Sequence, residues 1–389
     1  MSPDLSRRLF LGLGAASAAG LSRAADPPPQ LARVIDKLEP YFTPPDKFGD
    51  VSRGNPLPHK LPDAKKREVG MHRDTWQLEV VSDPDNPTTL STPLTKKAST
   101  ALDFAALLEL GKTKAVRFAK VMTCLNIGCP LGMGIWEGVP LRDVVWLTQP
   151  KANLRRIFYH GYHNDDPKQM FRSSLPAARV LEDPDDWPPV ILCYKLNGEW
   201  LSSERGGPVR IVVPEAYGFK SVKWLNTVTL SNLASANDTY INGNNDIDSP
   251  LKTFAATLHV PTSPKPNEPI ALTGYAQVGV SGLSKVQVWI NPDGKPWPAD
   301  DPYFTRAPWT DAIILDPPKA WPDDAGKPAS WPMILTKAHW AALLPGLPAG
   351  EYTLRCRTVD AKKQAQPMPR PFKKSGRCDI EEVKIRVGA

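Results

Sequence analysis

Hydrophobic and polar positions alternate in short segments through the first part of the chain, with two segments of helical spacing among them. Alternation with a period of two, or a short apolar run bounded by turns, is typical of a β-strand. Such segments are residues 76–81, 115–123, 189–194 and 209–213. Apolar residues three and four apart predict a helix over residues 104–110, ended by Gly111, and another over 139–147. The absence of a regular β-α-β order in this pattern favours an α+β fold.

The pattern changes near Phe254, after which short alternating segments are separated by turns rich in Gly, Pro and Asp. These segments are residues 271–278, 285–290, 351–359 and 383–387. Short strands at this spacing are typical of a β-sandwich. We therefore predict a first domain over residues 50–252 and an immunoglobulin-like sandwich over residues 253–389. Residues 26–49, rich in proline, predict an extended arm that wraps the first domain, and residues 300–331 a long ordered loop.

The N-terminus has the pattern of an export signal. Arg7 and Arg8 precede an apolar stretch, residues 9–21, that is rich in Gly and Ala and too short to span a bilayer. Twin-arginine signals direct bacterial proteins out of the cytoplasm. We expect residues 1–25 to be a signal peptide that the twin-arginine export machinery carries to the periplasm, and a disordered basic tail is the alternative.

Charge and composition narrow the functional classes. The net charge of +7 is scattered along the chain, which argues against nucleic acid as a partner and favours the approach of an anionic substrate. No other apolar run reaches the length of a membrane span. Five cysteines are too few for a disulfide scaffold, and the sequence has no C-x-x-C-H haem motif, Rossmann fingerprint or P-loop. Disulfide pairing stays open among Cys129, Cys193, Cys356 and Cys378.

One cysteine stands where a metal ligand would be useful. Cys124 comes at the end of a predicted strand and is followed by Gly128, Gly132 and Gly134. A thiolate is a soft ligand for transition metals, and glycines let the backbone approach a bulky cofactor closely. A buried cysteine acting as a small hydrophobe is the alternative. Cys129 makes a C-x4-C pair, but no second pair follows, so support for an iron–sulfur cluster is weak.

Three further segments carry residues suited to an anion. Residues 204–210 and 220–224 place two arginines and two lysines around glycine-containing turns, a combination that suits phosphate or an oxyanion. Tyr240 lies in a polar loop and offers a hydroxyl for a metal-bound oxygen. Residues 52–59 form a basic loop fixed by prolines. For each segment, an ordinary solvated loop or turn is the alternative.

In this order, the segments resemble the sulfite oxidase family. Residues 206–224 are similar to its His-Gly-x-Pro-x-Arg motif, apolar strand and Lys-Trp pair, and Asn197-Gly198 to its Met-Asn-Gly. Residues 136–141 are similar to the Trp-x-Gly-Val-Pro-Leu that follows the family's metal cysteine, and residues 174–176 to its Ser-Ile-Pro. Residues 253–389 resemble its dimerisation domain. The resemblance covers most of the chain and implies an α+β molybdopterin domain followed by the sandwich.

The resemblance implies a pyranopterin dithiolene that holds molybdenum, with Cys124 as the protein thiolate on the metal. It implies that Tyr240, Arg53 and Arg377 act on the substrate. The residues that it places around the pterin are Arg53, Asn55, Asn164, Asp165, Arg205, Arg210, Ser221, Val222 and Lys223. It further implies a homodimer that oxidises sulfite to sulfate by oxygen-atom transfer at molybdenum. With no haem expected on this chain, a separate electron carrier such as a c-type cytochrome is required.

The sequence departs from the family just after the metal cysteine, where Gly-Asn-Arg is typical. Residues 125–129 read Leu-Asn-Ile-Gly-Cys, so a cation expected for sulfite is missing, and Arg205 replaces the usual histidine. Two alternatives therefore stay open: a molybdenum-dependent reductase of sulfoxide-type substrates, and a non-catalytic periplasmic binding protein that kept the fold. A secreted adhesion module would suit the sandwich alone, but it leaves the export signal and the Cys124 segment unexplained.

Overall fold

The computed structural model describes residues 27–184, 187–248, 250–319, 321 and 330–388. The predicted signal peptide, residues 1–25, lies outside these residues, as does part of the predicted loop over residues 300–331. Within the described ranges, every helix falls short of the length and apolarity that crossing a membrane demands. Most of the regular structure is β-sheet, and the helices are few and short.

Helices and strands alternate irregularly in the first domain, and from residue 254 onward the described elements are strands. The α-helices are α1 (Pro29–Ile35), α2 (Asp63–Glu68), α3 (Phe104–Lys114), α4 (Leu141–Leu147) and α5 (Ala177–Leu181). The first strands are β1 (Gln77–Ser82), β2 (Leu102–Asp103), β3 (Val116–Thr123), β4 (Pro130–Pro140), β5 (Arg156–Gly161), β6 (Arg172–Pro176), β7 (Ile191–Leu196), β8 (Glu199–Trp200), β9 (Arg210–Val212) and β10 (Leu225–Ser231). The remaining strands are β11 (Phe254–His259), β12 (Ile270–Gln277), β13 (Lys285–Pro292), β14 (Thr310–Asp311), β15 (Ile313–Ile314), β16 (Lys337–Leu344), β17 (Gly350–Val359) and β18 (Glu381–Val387).

Two sheets build the first domain. One has the strand order β2-β1-β10-β5-β6, in which β1 and β10 are parallel and the other neighbours antiparallel. The other has the order β3-β4-β7-β8, with β9 paired to β7. Leu78 of β1, Val121 of β3 and Val228 of β10 belong to one buried apolar cluster, so the two sheets share a core. The mixed sheets with short helices agree with the α+β prediction.

The predicted helix over residues 104–110 is confirmed, but its predicted end is wrong. Helix α3 begins after Asp103, whose carboxylate accepts a hydrogen bond from the backbone N–H of Ala106 at 2.8 Å, and it runs past Gly111 to Lys114. A Cβ at position 111 would lie 2.9 Å from the hydroxyl of Tyr194. Gly111 is therefore required by packing against β7, and it does not end the helix.

The second helix prediction is wrong in its first residues. Helical spacing over residues 139–147 predicted one helix, whereas the helix begins at Leu141 and the preceding residues complete strand β4. Pro140 precedes the helix with extended backbone angles, which suit a strand end. The glycines of β4 weaken its alternating pattern, and the strand therefore gave no clear signal in the sequence.

Two antiparallel sheets form the second domain, with strand orders β11-β12-β16-β15 and β14-β13-β17-β18. Leu272 and Trp340 from the first sheet and Val288 and Leu354 from the second belong to one buried cluster. The sheets thus bury apolar faces in a common core, as the prediction of a sandwich requires. Its immunoglobulin-like character stays a prediction.

The arm over residues 26–49 does not simply extend around the first domain, and that prediction is wrong for its beginning. Helix α1 forms there and buries Leu31 in a cluster with Ala271 of β12 and Ala341 of β16, in the second domain. Further along, the ring of Phe48 lies edge-on to that of Trp136 in β4, with centroids 5.9 Å apart. The arm therefore packs against both domains.

Gly161, at the end of β5, lets this strand lie directly against residues 223 and 224. A Cβ at position 161 would overlap the carbonyl of Lys223 and lie 2.5 Å from the carbonyl oxygen of Trp224, and backbone atoms cannot rotate away. We expect Gly161→Ala to lower the free energy of unfolding by about 1–3 kcal/mol, measured by calorimetry. Gly294→Ala is the matched control, because nothing lies within 4 Å of its added Cβ. Equal unfolding temperatures for the two variants would contradict this explanation.

Candidate functional site

A cavity of about 310 Å³ in the first domain brings most of the predicted site residues together. The predicted residues that line it are Arg53, Cys124, Arg205, Arg210, Ser221, Val222, Lys223 and Tyr240. Its wall also contains Phe48, Val51, Asn126, Ile127, His163, Phe171 and Trp224. These residues come from the arm, from the end of β3 and from the loops around β5, β9 and β10, so tertiary folding alone assembles the site.

Cys124 is held at the end of β3 by the residues around it. The hydroxyl of Thr123 is buried and donates to the Oε1 atom of Gln277 in β12, at 2.5 Å. On the other side, the backbone N–H of Gly128 donates to the carbonyl of Cys124 at 3.0 Å and closes a turn. The thiol is partly exposed and lines the cavity, as a metal ligand requires. All five cysteines have free thiols.

Two arginines form one wall of the cavity. Arg210 is buried and donates to the carbonyls of Arg205 at 2.9 Å and Ser221 at 2.5 Å, whereas its Nε–H has no partner among the described residues. Burial lowers the pKa of Arg210 to about 10, so the guanidinium stays charged at neutral pH. Arg205 pairs with Glu204 at 3.2 Å and donates to the carbonyl of Gly49 at 2.7 Å. A buried N–H without a partner is costly, and an anionic ligand would satisfy it.

A lysine completes this cationic wall. The Nζ atom of Lys223 lies 2.7 Å from Asp50, from the hydroxyl of Ser52 and from the carbonyl of Glu204. Burial and the nearby Arg210 lower the pKa of Lys223 to about 8. Burial would raise the pKa of Asp50, but its bonds with Lys223 and Ser52 outweigh this and lower it to about 2. The wall therefore carries more positive than negative charge.

Tyr240 stands at the mouth of the cavity between two further cations. The guanidinium carbon of Arg53 lies 5.0 Å from the ring centre of Phe171 and 5.8 Å from that of Tyr240, and Nζ of Lys374 lies 5.3 Å from the latter. Within the described part of the chain, neither cation has a carboxylate partner. The amide of Asn126 donates to the Tyr240 hydroxyl at 3.2 Å, which leaves the phenolic proton free to donate elsewhere.

The loop that carries Tyr240 is anchored by a buried ion pair. Asp238 lies 2.7 Å from Nζ of Lys220, and both side chains are almost fully buried. Lys220 also donates to the carbonyl of Ser174 at 2.8 Å, and Asp238 accepts from the hydroxyl of Ser173 at 3.1 Å. These bonds fix the loop to β6 and to the turn before Ser221, so they set the position of Tyr240 relative to the cationic wall.

Four predicted site residues do not line the cavity. Asn55, Asn164 and Asp165 lie together near the Arg53 loop: the amide of Asn164 donates to the carbonyl of Pro56 at 2.9 Å. The backbone N–H of Asn55 donates to the side chain of a glutamine, and Asp165 pairs with a lysine at 3.1 Å. Arg377 lies behind Gly128, and its guanidinium pairs with Glu381 at 3.1 Å. Because a carboxylate already neutralises Arg377, its predicted role toward the substrate has no support from its contacts.

Several residues of the site carried no signal in the sequence. Phe171, Asp50 and Lys374 belong to no motif. Phe171 lines the cavity, whereas Asp50 and Lys374 contact the lining residues Lys223 and Tyr240 from distant segments. His163 is buried in the same wall, with Nδ1 3.1 Å from the carbonyl of Gly161. Burial lowers its pKa, so the ring is neutral at pH 7 and adds no charge to the cationic wall. Phe48 belongs to the arm, whose low-periodicity sequence did not indicate a buried ring.

Comparisons with known proteins agree with this geometry. Residues 65–239 match the family model described as oxidoreductase molybdopterin binding domain. Sulfite oxidase of Rattus norvegicus is 29% identical over 220 residues, 53% of this chain and 35% of the relative, and that of Gallus gallus is 27% identical over 253 residues, 60% and 50%. A nitrate reductase [NADH] of Volvox carteri is 30% identical over 115 residues, 28% and 13%. The chain thus matches half or less of the length of these relatives.

A solved structure shows the same fold over nearly the whole chain. It is the sulfane dehydrogenase SoxCD from Paracoccus pantotrophus, with a TM-score of 0.57 and 15% sequence identity. The alignment covers 95% of this chain and 92% of that one. At this identity, the likeness concerns the fold of both domains and not the residues of the site.

The lowered pKa of Lys223 predicts that anion binding depends on pH. Sulfate keeps its charge in neutral and alkaline solution, whereas Lys223 loses its proton as the pH rises through about 8. We expect the affinity of the cofactor-free protein for sulfate to fall roughly tenfold across this range, because the cationic wall loses one of its positive charges. Calorimetric titration at several pH values measures this affinity. Lys223→Met should bind sulfate weakly at every pH, and a fall of the same size in this variant would assign the titration to another group.

Proposed function

Because this chain belongs to the sulfite oxidase family of molybdopterin oxidoreductases, we propose that it oxidises sulfite to sulfate in the periplasm. Electrons would pass to a separate carrier such as a c-type cytochrome. The observation that carries the proposal is the meeting, in one cavity, of the Cys124 thiol, the cationic wall and Tyr240 with Arg53. Export by the twin-arginine route and pairing into a homodimer through residues 253–389 are part of the same proposal.

The residues of the cavity fit a molybdenum pyranopterin. Cys124 offers a thiolate of the kind that binds soft metals, and Arg205, Arg210 and Lys223 offer positive charge to the cofactor's phosphate. The Arg210 Nε–H without a partner is a donor of the kind that a phosphate oxygen accepts from. When bound, the cofactor supplies a metal that exchanges an oxygen atom with the substrate and takes up two electrons.

The chain's own residues would bind and orient the substrate. Arg53 lines the cavity without a carboxylate partner among the described residues, so it is available to an anion that enters. Lys374 contacts the Tyr240 ring and adds positive charge beside the site. Because Asn126 donates to the phenolic oxygen, the proton of Tyr240 can be donated to a substrate oxygen. Phe171 packs edge-on to the ring of Tyr240, with centroids 5.3 Å apart, and also contacts the guanidinium of Arg53, so it holds the two side chains next to each other.

Oxygen transfer in the opposite direction is the second candidate. Nitrate reductases are among the relatives, and Ile127 lies in the cavity wall just after Cys124, in the segment where an arginine was expected. Fewer cations in this segment suit a neutral substrate such as a sulfoxide. A non-catalytic binding protein is the third candidate, and it would purify without molybdenum.

Replacing the metal-binding thiol tests the cofactor assignment. We expect Cys124→Ser to lose nearly all turnover and to change the Mo(V) spectrum of the loaded protein, because a hard hydroxyl replaces a soft thiolate on a metal that the dithiolene still holds. Electron paramagnetic resonance and steady-state assays measure the two effects. Cys378→Ser is the control: this half-buried thiol lies in the second domain and outside the cavity, so its spectrum and turnover should match the wild type. An unchanged spectrum and unchanged turnover in Cys124→Ser would refute the assignment.

Steady-state assays distinguish the two directions of oxygen transfer. We expect the molybdenum-loaded protein to reduce cytochrome c when sulfite is added and to show a Mo(V) signal by electron paramagnetic resonance. Methionine sulfoxide or nitrate with a reduced dye should give a lower kcat/KM. If the dye is oxidised by either acceptor while sulfite produces neither signal, the reductase is the correct alternative.

A further inference from the structure

Two exposed apolar side chains belong to the wall of the cavity. Val51 is 44% exposed and Ile127 is 54% exposed. Large apolar side chains that gather around a cavity, and do not occur singly, are typical of a surface that binds a ligand.

The mouth of the cavity carries positive charge without a compensating carboxylate. Arg53 and Lys374 both contact the ring of Tyr240, and neither forms an ion pair with a described residue. Arg53 is two residues from Val51 in one loop, so a cation and an apolar side chain reach the cavity from the same segment. The mouth therefore offers both charge for an anion and an apolar surface beside it.

Sulfite would contact the cationic part of this surface and not its apolar part. It consists of one sulfur and three oxygens, and when bound at Arg53 it would offer no apolar group to Val51 and Ile127. A substrate in which one oxygen of sulfite is replaced by an organic group keeps the sulfur lone pair and the negative charge. Its organic group would cover the apolar side chains, and burial of apolar surface strengthens binding.

We propose that the preferred substrate is an organic sulfinate, R–SO2⁻, which is oxidised to the sulfonate R–SO3⁻. The inference rests on the proposed function, because it uses the same cofactor and the same external electron acceptor. One S–O bond forms with oxygen from water, the C–S bond is kept, two electrons go to the acceptor and two protons to solvent. Arg53 binds the sulfinate group, Lys374 adds positive charge from beside the Tyr240 ring, and Val51 and Ile127 contact the group R.

The test measures the molybdenum-loaded protein with methane-, propane- and butanesulfinate and with sulfite, using ferricyanide as acceptor. We expect kcat/KM to rise roughly two- to fourfold for each added methylene, and butanesulfinate to exceed sulfite. Ile127→Ser should weaken this dependence on chain length. Leu258→Ser is the matched control, since Leu258 is 41% exposed on β11 and lies outside the cavity wall, and it should keep the wild-type dependence.

Binding of the products gives a readout that is independent of turnover. Calorimetric titration with methane-, propane- and butanesulfonate should show affinity that increases with chain length in the wild type and in Leu258→Ser. The increase should be reduced in Ile127→Ser. An increase that survives in Ile127→Ser, or disappears equally in Leu258→Ser, would overturn the role given to the cavity mouth.

The outcomes separate this inference from the proposed function. Oxidation of sulfite with no dependence of sulfinate turnover on chain length overturns the inference and leaves the proposed function intact. If Ile127→Ser changes only the rate with cytochrome c and not that with ferricyanide, the apolar side chains serve a protein partner, and the inference is again wrong. A protein without molybdenum that oxidises neither class overturns the proposed function, and the inference with it.

Discussion

The site depends on holding like charges together in a poorly solvated cavity. Arg205, Arg210 and Lys223 line the same wall, and Asp50 and Glu204 are the carboxylates that pair with them among the described residues. Repulsion between charges is strong where water is excluded, and it is tolerated only when hydrogen bonds satisfy each group. Backbone carbonyls satisfy most of the donors here, and the arm contributes part of them. The remaining excess of positive charge explains why the fold suits an anionic cofactor.

Local sequence predicted the residues that lie at the ends of recognisable elements. Cys124 follows a strand that a short, mostly apolar segment predicted, and Arg210 and Lys223 stand in a segment whose order and spacing resemble those of the family. The different contacts of Lys374 and Arg377 could not be predicted from local sequence. They lie three residues apart in one loop, but Glu381 attracts the guanidinium of Arg377, while Lys374 reaches Tyr240. Which of the two side chains contacts Tyr240 depends on residues of distant segments, and a local sequence pattern does not contain that information.

The limits of pattern reasoning were similar for the fold. Alternation and short apolar runs located eight of the eighteen strands in the described residues, namely β1, β3, β7, β9, β12, β13, β17 and β18. Glycines caused two wrong predictions. Gly111 was predicted to end a helix, although it is a small residue packed against Tyr194. In β4, glycines replace the side chains that would show the alternation. The beginning of the arm was also mispredicted. Its short apolar face, with Leu31, packs against a sheet of the second domain, and this contact cannot be seen in the sequence of the arm.

The hydrogen bond between Thr123 and Gln277 joins the two domains one residue before Cys124, the proposed metal ligand. Both side chains are fully buried, and the hydroxyl has its acceptor only when β12 is in place. Exchange of the sandwich for one from a distant relative would therefore leave a buried donor unsatisfied beside Cys124 unless the incoming strand carried an equivalent acceptor. Divergence at position 277 is thus restricted by the chemistry of a neighbouring domain, although the residue itself never reaches the cavity.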